Sequence, residues 1–185
     1  MTEDERCAEA ERHRRLTDAF ERGDLEALRA AVDDPASVPN GTMPLTIGSC
    51  LVYAIYYSPL AFIRTLLEIG ADPNAPTDDG FPPLIAALSC SREAPGARRR
   101  TDVDDIMRLL LSFNSDIHQR GINDCTPLHM AVAERNLVEI QLLLEHGADP
   151  DVRTRIDEYE TPLEMAEAAG WTEGALLLSR RRNDH

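Results

Sequence analysis

The sequence predicts an all-α chain in which short helix hairpins stack side by side into one elongated domain. Three observations carry this. The block from Asp124 to Asp149 reads as two helices closed by a glycine turn, the block recurs along the chain, and no copy is large enough to bury its apolar face alone. In that block Thr126 is placed to cap a helix whose first residue is Pro127, a position where the amide hydrogen would be unsatisfied anyway. The polar run Glu134-Arg135-Asn136 ends this helix. Leu137, Ile140, Leu143 and Leu144 then return at helical spacing and mark one apolar face of a second helix. Gly147 follows, where a left-handed cap favours a residue without Cβ.

The recurrence is in register. A shift of 35 residues places Thr126-Pro127-Leu128-His129-Met130-Ala131 on Thr161-Pro162-Leu163-Glu164-Met165-Ala166, and a shift of 44 in the other direction places it on Pro82-Pro83-Leu84-Ile85-Ala86-Ala87. A further 33 residues back lies Ser49-Cys50-Leu51-Val52-Tyr53-Ala54, whose hairpin ends in Leu66-Leu67-Glu68-Ile69-Gly70-Ala71-Asp72, aligned without a gap on Leu143 to Asp149. Another 35 residues back, Arg14 to Ala19 and Gly23 to Leu28 occupy the places of the two helices.

On these residues the repeat resembles the ankyrin repeat, a unit of roughly 33 residues with a β-turn and two helices carrying T-P-L-H-x-A. Thr126 to Ala131 match that signature fully, Thr161 to Ala166 carry Glu164 in place of the histidine, and the other copies keep mainly the leucine and the alanine. The resemblance implies five repeats including two caps, at about 4–40, 41–76, 77–120 with an insertion near 90–101, 121–155 and 156–180. It also implies that His129 is structural, its imidazole bonding toward the Thr126 hydroxyl and the adjoining turn.

In chain order, Thr2 to Arg22 reads as a long polar helix with Leu16, Ala19 and Phe20 as its apolar contacts, followed by a helix from Asp24 to Val32 that Asp33-Asp34-Pro35 stops. The segment Ala36 to Gly48 is a connection expected to project as the first finger. An inner helix from Ser49 to Tyr57 carries Tyr53, Tyr56 and Tyr57; Ser58-Pro59 is expected to cap and start the next helix, which runs to Ile69. In the third repeat the step of 44 leaves eleven extra residues within Ser89 to Thr101, where Pro95 and Gly96 exclude a regular helix, and Asn114 stands where the capping glycine is expected. The fifth repeat opens with a longer finger, Arg153 to Glu160, then a capping-box pattern in which Glu164 reaches back to the Thr161 amide. The last helix is expected near Thr172 to Ser179, with a frayed tail from Arg180 to His185.

Composition bounds the function. The net charge of −14 disfavours phosphate backbones, so no nucleic-acid partner is expected, and a basic protein partner is favoured. No apolar run spans a membrane, the stretch Leu51 to Leu67 being broken by Ser58, Pro59 and Arg64, and the charged Met1 to Arg15 is no secretory signal. Cys7, Cys50, Cys90 and Cys125 form no C-x-x-C pair, which argues against a disulfide framework or a zinc site and for a cytoplasmic address. All 19 basic residues are arginine, a bias that suggests a GC-rich, bacterial genome. No paired carboxylates, phosphate-binding glycine loop or metal cluster stands out, so no cofactor and no enzymatic activity are expected.

The resemblance implies a protein-binding module, with a partner lying across the finger tips and the concave helix face. The contact positions it maps onto this chain are Tyr56, Tyr57, Asp78, Asp79, Phe81, Ile122, Asn123, Cys125, Glu134 and Arg153. Tyrosines suit such a surface because each ring offers area at little entropic cost and its hydroxyl adds direction, although Tyr53 and one neighbour could equally pack between repeats. The insertion adds Arg98, Arg99 and Arg100, a cluster suited to an acidic or phosphorylated segment, or else solvated and offset by Asp102, Asp104 and Asp105. A monomer is expected. The alternative is an inhibitor or immunity-type protein whose acidic surface blocks a basic toxin or enzyme.

Overall fold

Caps and breakers set the helix ends, and a computed structural model of the chain shows where they fall. It describes residues 2–41, 43, 48–77, 79–91, 99–155 and 159–182, excepting the side chains of Arg181 and Arg182. Five helix pairs follow in order: α1 (Glu3–Arg22) with α2 (Leu25–Ala31), α3 (Cys50–Tyr57) with α4 (Leu60–Glu68), α5 (Pro83–Ser89) with α6 (Val103–Ser112), α7 (Pro127–Ala133) with α8 (Leu137–Glu145), and α9 (Pro162–Ala168) with α10 (Thr172–Arg182). Thr2, Asp24, Ser49, Asn136 and Thr161 each accept an amide of the first turn that has no partner within the helix. Among the described residues the chain is all-helical apart from turns and short 3₁₀ segments.

Each helix packs on its hairpin mate, and all but α2 pack on a counterpart in a neighbouring hairpin. The row α1, α3, α5, α7, α9 forms an inner layer, and α4, α6, α8, α10 form an outer one. The residues at equivalent places in the five copies explain why the rows close up. Ala19, Ala54, Ala87, Ala131 and Ala166 are all buried, so the inner helices approach where only a methyl group intervenes. Leu16, Leu51, Leu84 and Leu128 are each about 1% exposed, whereas Leu163 of the last copy is half-buried. Burying each of these leucines stabilises the stack by roughly 2 kcal/mol.

The turns are built by a repeated device. Gly70 and Gly147 take φ of 97° and 90°, and a Cβ at either would meet nothing, so the positive φ alone favours glycine there; Asn114 adopts the same cap at 62°. Two residues after each cap, Asp72, Asp116 and Asp149 accept the amides of Asn74, His118 and Asp151 at 2.8 to 2.9 Å, folding the chain back on itself. The previous hairpin then clamps this turn. Asn40 accepts from the Asp72 amide and donates to the Gly70 carbonyl, Asn74 does the same for Asp116 and Asn114, and His118 accepts from the Asp149 amide.

His129 bonds as expected. Its Nδ1 lies 2.8 Å from the Thr126 hydroxyl and accepts from the Thr126 amide, leaving Nε2 to donate to the Glu160 carbonyl of the following hairpin. At the equivalent place Glu164 accepts from the Thr161 amide at 2.9 Å, so imidazole and carboxylate serve the same N-terminal function. Two expectations change. Ser58 does not cap α4: its hydroxyl has no hydrogen-bond partner, its backbone instead closes α3, and Pro59 lies before the first helical residue, not at it. The last helix does not stop near Ser179 but runs to Arg182, since cations at a helix C-terminus complement its dipole.

One buried carboxyl went unread in the sequence. Glu139 on α8 is 1% exposed, and its Oε2 has no hydrogen-bond partner; Oδ1 of Asp104 on α6 is likewise buried and unpartnered. Burial, reinforced by Asp104, pushes the Glu139 carboxyl up from 4.5 to about 7, against the opposing pull of Arg108. A folded-state value above the unfolded one means that ionisation is penalised in the fold, so stability is highest below pH 4.5 and declines until about 7 as far as this group is concerned. Glu139→Gln is therefore expected to stabilise the chain by about 1–2 kcal/mol in urea unfolding at pH near 8 and to give no advantage near pH 4.

Candidate protein-binding surface

An aromatic row crosses the inner layer near its N-terminal end. Phe20 of α1 lies 6.1 Å from Phe62 of α4 and 4.4 Å from Tyr53 of α3; Tyr53 stacks on Tyr57 at 4.4 Å, and Tyr57 meets Tyr56 edge-on at 6.1 Å. Exposure falls off along it. Tyr53 is buried at 4%, while Tyr56 and Tyr57 remain half-buried and offer ring surface to solvent. Both ends are tied to neighbouring hairpins. The Thr17 hydroxyl donates to His13, so the Tyr53 hydroxyl, 3.4 Å away, donates to it; by the same argument Tyr56 donates to Ser89 of α5 at 3.3 Å. Burial raises the Tyr56 phenol to about 12, which keeps it protonated as a donor. Two half-buried rings are thus held in fixed orientation, which lowers the entropy lost on binding.

The finger tips are braced rather than loose. The Gly80 carbonyl accepts from the Ile122 amide at 2.7 Å, joining the third finger to the fourth, and Asp79 accepts from the Phe81 amide at 3.0 Å. Ile122 and Asn123 project at the fourth tip, where Asn123 and Asp124 take consecutive positive φ of 53° and 58°. Such backbone is uncommon outside glycine and is tolerated best by Asn and Asp. It is held by charge: Asp124 pairs with Arg120 and with Arg155 of the fifth finger, and the Arg155 guanidinium holds its carboxyl below the usual range. Arg120 also donates to the Arg153 carbonyl at 3.0 Å. Arg153, expected as a contact residue, grips Glu164 with two bonds of 2.6 and 2.7 Å and donates to the Tyr159 carbonyl. It is exposed but committed to the finger.

The insertion departs most from expectation. Arg98, like Asp78, lies outside the described residues, and Arg99 is exposed. Arg100 is not presented to solvent: its side chain is 13% exposed and turned inward. One nitrogen donates to the carbonyls of Ile55 and Ser58 at 3.0 and 2.7 Å, while the others make a two-bond pair with Asp102 at 2.8 and 2.7 Å. The reason is the helix end: the last carbonyls of α3 have no partner within the helix, and the returning insertion delivers a cation to them. Arg100 pulls the Asp102 carboxyl below its ordinary range, and the Arg100 amide bonds the Cys90 carbonyl at 2.9 Å. Arg99 and Arg100 therefore do not form one binding group.

Nucleophilic chemistry is disfavoured at the two buried cysteines. Burial pushes the Cys50 and Cys90 thiols up to about 12 and 11, which keeps them protonated. Cys125 and Glu134 are half-buried at opposite ends of α7, and His129 in its first turn has both ring nitrogens engaged, with burial holding its affinity for a proton below normal. The described residues bring together no group of three or more His, Cys, Asp or Glu side chains that could hold a metal ion. No helix among them is long and apolar enough to cross a membrane.

Residues 123–155 match the ankyrin repeat family, a binding module rather than a catalytic one, and the helical stack is an ankyrin-repeat solenoid. The chain is similar to XBAT34 and XBAT35 of Arabidopsis thaliana, whose names class them as E3 ubiquitin-protein ligases: 35% identical over 60% of this chain and 27% of XBAT34, and 32% identical over 68% of this chain and 25% of XBAT35. An ankyrin repeat-containing protein of Treponema pallidum is 34% identical over 49% of this chain and 27% of its own length. The chain spans about a quarter of the length of these curated relatives. Plants and animals supply most of the relatives, so the arginine-only composition is not supported as a sign of bacterial origin.

The two arginines separate by experiment. Arg100→Ala is expected to destabilise the chain by about 2–3 kcal/mol in denaturant titration, because it strands helix-end carbonyls and Asp102. Arg99→Ala, a change at an exposed side chain, should fall within about 0.5 kcal/mol of the parent.

Proposed function

We propose that this chain is a protein-interaction module whose partner lies along the inner helix layer and the finger tips, and that the partner presents a basic segment with apolar side chains. The observation that carries the reading is the Tyr56 and Tyr57 pair. Both rings are half-buried, braced from below by Tyr53 and Phe20, and still open to solvent, which is the form an interface anchor takes. Phe81 is half-buried and Asp79 exposed on the neighbouring finger, while Ile122 and Asn123 extend the surface toward the fourth. Glu134 lies at the far end of α7.

The net charge of −14 supports a basic partner, drawn in and oriented by long-range attraction. Withdrawal of Arg100 into the fold weakens the competing idea of an acidic or phosphorylated segment captured by the insertion, since Arg99 is left as the exposed cation there among the described residues. The same acidic surface supports a second reading, an inhibitor that covers the basic active site of an enzyme or toxin. Four cysteines without a disulfide support action in a reducing, cytoplasmic setting.

The test is a partner recovered from the native cell extract and then titrated by calorimetry against purified variants. Tyr56→Ala with Tyr57→Ala is expected to weaken binding by about 2 kcal/mol or more while circular dichroism stays that of a folded helical chain. Deletion of 92–98, which spares Arg99 and Arg100, should leave affinity within a few-fold. Full affinity in the folded tyrosine double variant, or its loss on deleting 92–98, would move the site away from the inner layer.

A further inference from the structure

Away from the inner layer, exposed apolar surface gathers in one groove of the outer row. Val138 of α8 is 58% exposed and Leu176 of α10 is 54% exposed, two of the largest apolar exposures among the described residues. They line the same groove, with Leu137 and Leu177 forming its floor. Glu173 and Arg180 stand at its two ends, both on α10 and both exposed, and neither has an ion-pair partner among the described residues.

Their spacing gives the groove a symmetry. Seven residues are close to two helical turns, so the acid and the base lie on one side of α10, roughly 10 Å apart. The midpoint between them falls between Leu176 and Leu177. A second copy of α10 laid antiparallel about a two-fold axis through that midpoint brings Glu173 of each copy against Arg180 of the other. The same axis sets Leu176 of each copy into the groove beside Val138 of its mate. An apolar centre flanked by self-complementary charge is what an isologous contact requires, since the same patch must serve on both sides.

We propose that the α8 and α10 groove is the contact of a homodimer in which two copies pair through antiparallel α10 helices. A foreign helix could fill the apolar centre, but the placement of one acid and one base at equal distances from it fits a second copy without further assumption. The contact is small, and the dimer accordingly belongs to the weak, concentration-dependent class. Pairing through the outer row leaves both inner layers free for a partner, so that each dimer would offer two binding faces.

Sedimentation velocity over a concentration series tests this with charge reversal. The parent chain is expected to pass from monomer to dimer as concentration rises. Glu173→Arg and Arg180→Glu should each weaken the dimer on the order of tenfold, because two-fold symmetry counts every change twice. The chain carrying both reversals should return to the parent's affinity, and an equimolar mixture of the two single variants should form a mixed dimer in preference to either alone. A parent chain that stays monomeric throughout would assign the groove to a different protein and overturn the proposal. So would a doubly reversed chain as weak as the single variants, since the two charges would then not face one another. Both sites are exposed helix positions, so the variants should keep the parent's circular dichroism, and an unfolded single variant would itself contradict the surface role given to these residues.

Discussion

Close approach of neighbouring first helices is the constraint from which the rest of the architecture follows. Ala19, Ala54, Ala87, Ala131 and Ala166 occupy the equivalent place in each hairpin, all without meaningful exposure. A larger side chain there would hold adjacent hairpins apart and open the leucine layer above it. No hairpin has enough apolar surface to be stable alone, so the leucines and alanines stabilise each copy only through its neighbours.

Given that spacing, the polar groups can act as a ruler. Asn40, Asn74 and His118 each reach across one step to satisfy amides at the next turn, with bonds of 2.6 to 3.1 Å. His129 does the same one layer further in, by donating to the carbonyl of Glu160. The fingers are thus positioned by the stack, and their tips are trimmed by Asp124 with its two arginines. The surface this yields is rigid in backbone and varied in side chain, which is how one scaffold serves unlike partners.

Much of this was legible in the residues. Thr126-Pro127 starts a helix where expected, Gly147 and Asn114 end hairpins with positive φ, and Glu164 closes a capping box. These are local rules, decided within four or five residues. What escaped the sequence depends on residues far apart along the chain. Arg100 looked like one of three equivalent cations, yet it lies 42 to 45 positions from the carbonyls it satisfies. Glu139 drew no attention because nothing local says that α6 will cover it. Ser58-Pro59 carried the pattern of a helix start and was overruled by the end of the preceding helix. Among the α3 tyrosines, Tyr53 is set apart as core by long-range partners, Phe20 and Thr17 of the preceding hairpin, while its two neighbours stay half-buried.

Trp171, the single tryptophan, lies in the last hairpin with its ring against Gly174, where a Cβ would approach the ring to 2.2 Å, and so reports on the C-terminal end alone. The most direct test of interdependent stacking is denaturant unfolding of Ile106→Ala, a cavity two hairpins away in α6, followed by Trp171 fluorescence and by circular dichroism together. The account predicts that both transitions coincide and both move to lower denaturant, since the last hairpin cannot outlast the stack beneath it. A Trp171 transition that stays where the parent's was, while the helical signal shifts, would mean that hairpins fold independently and would contradict the account.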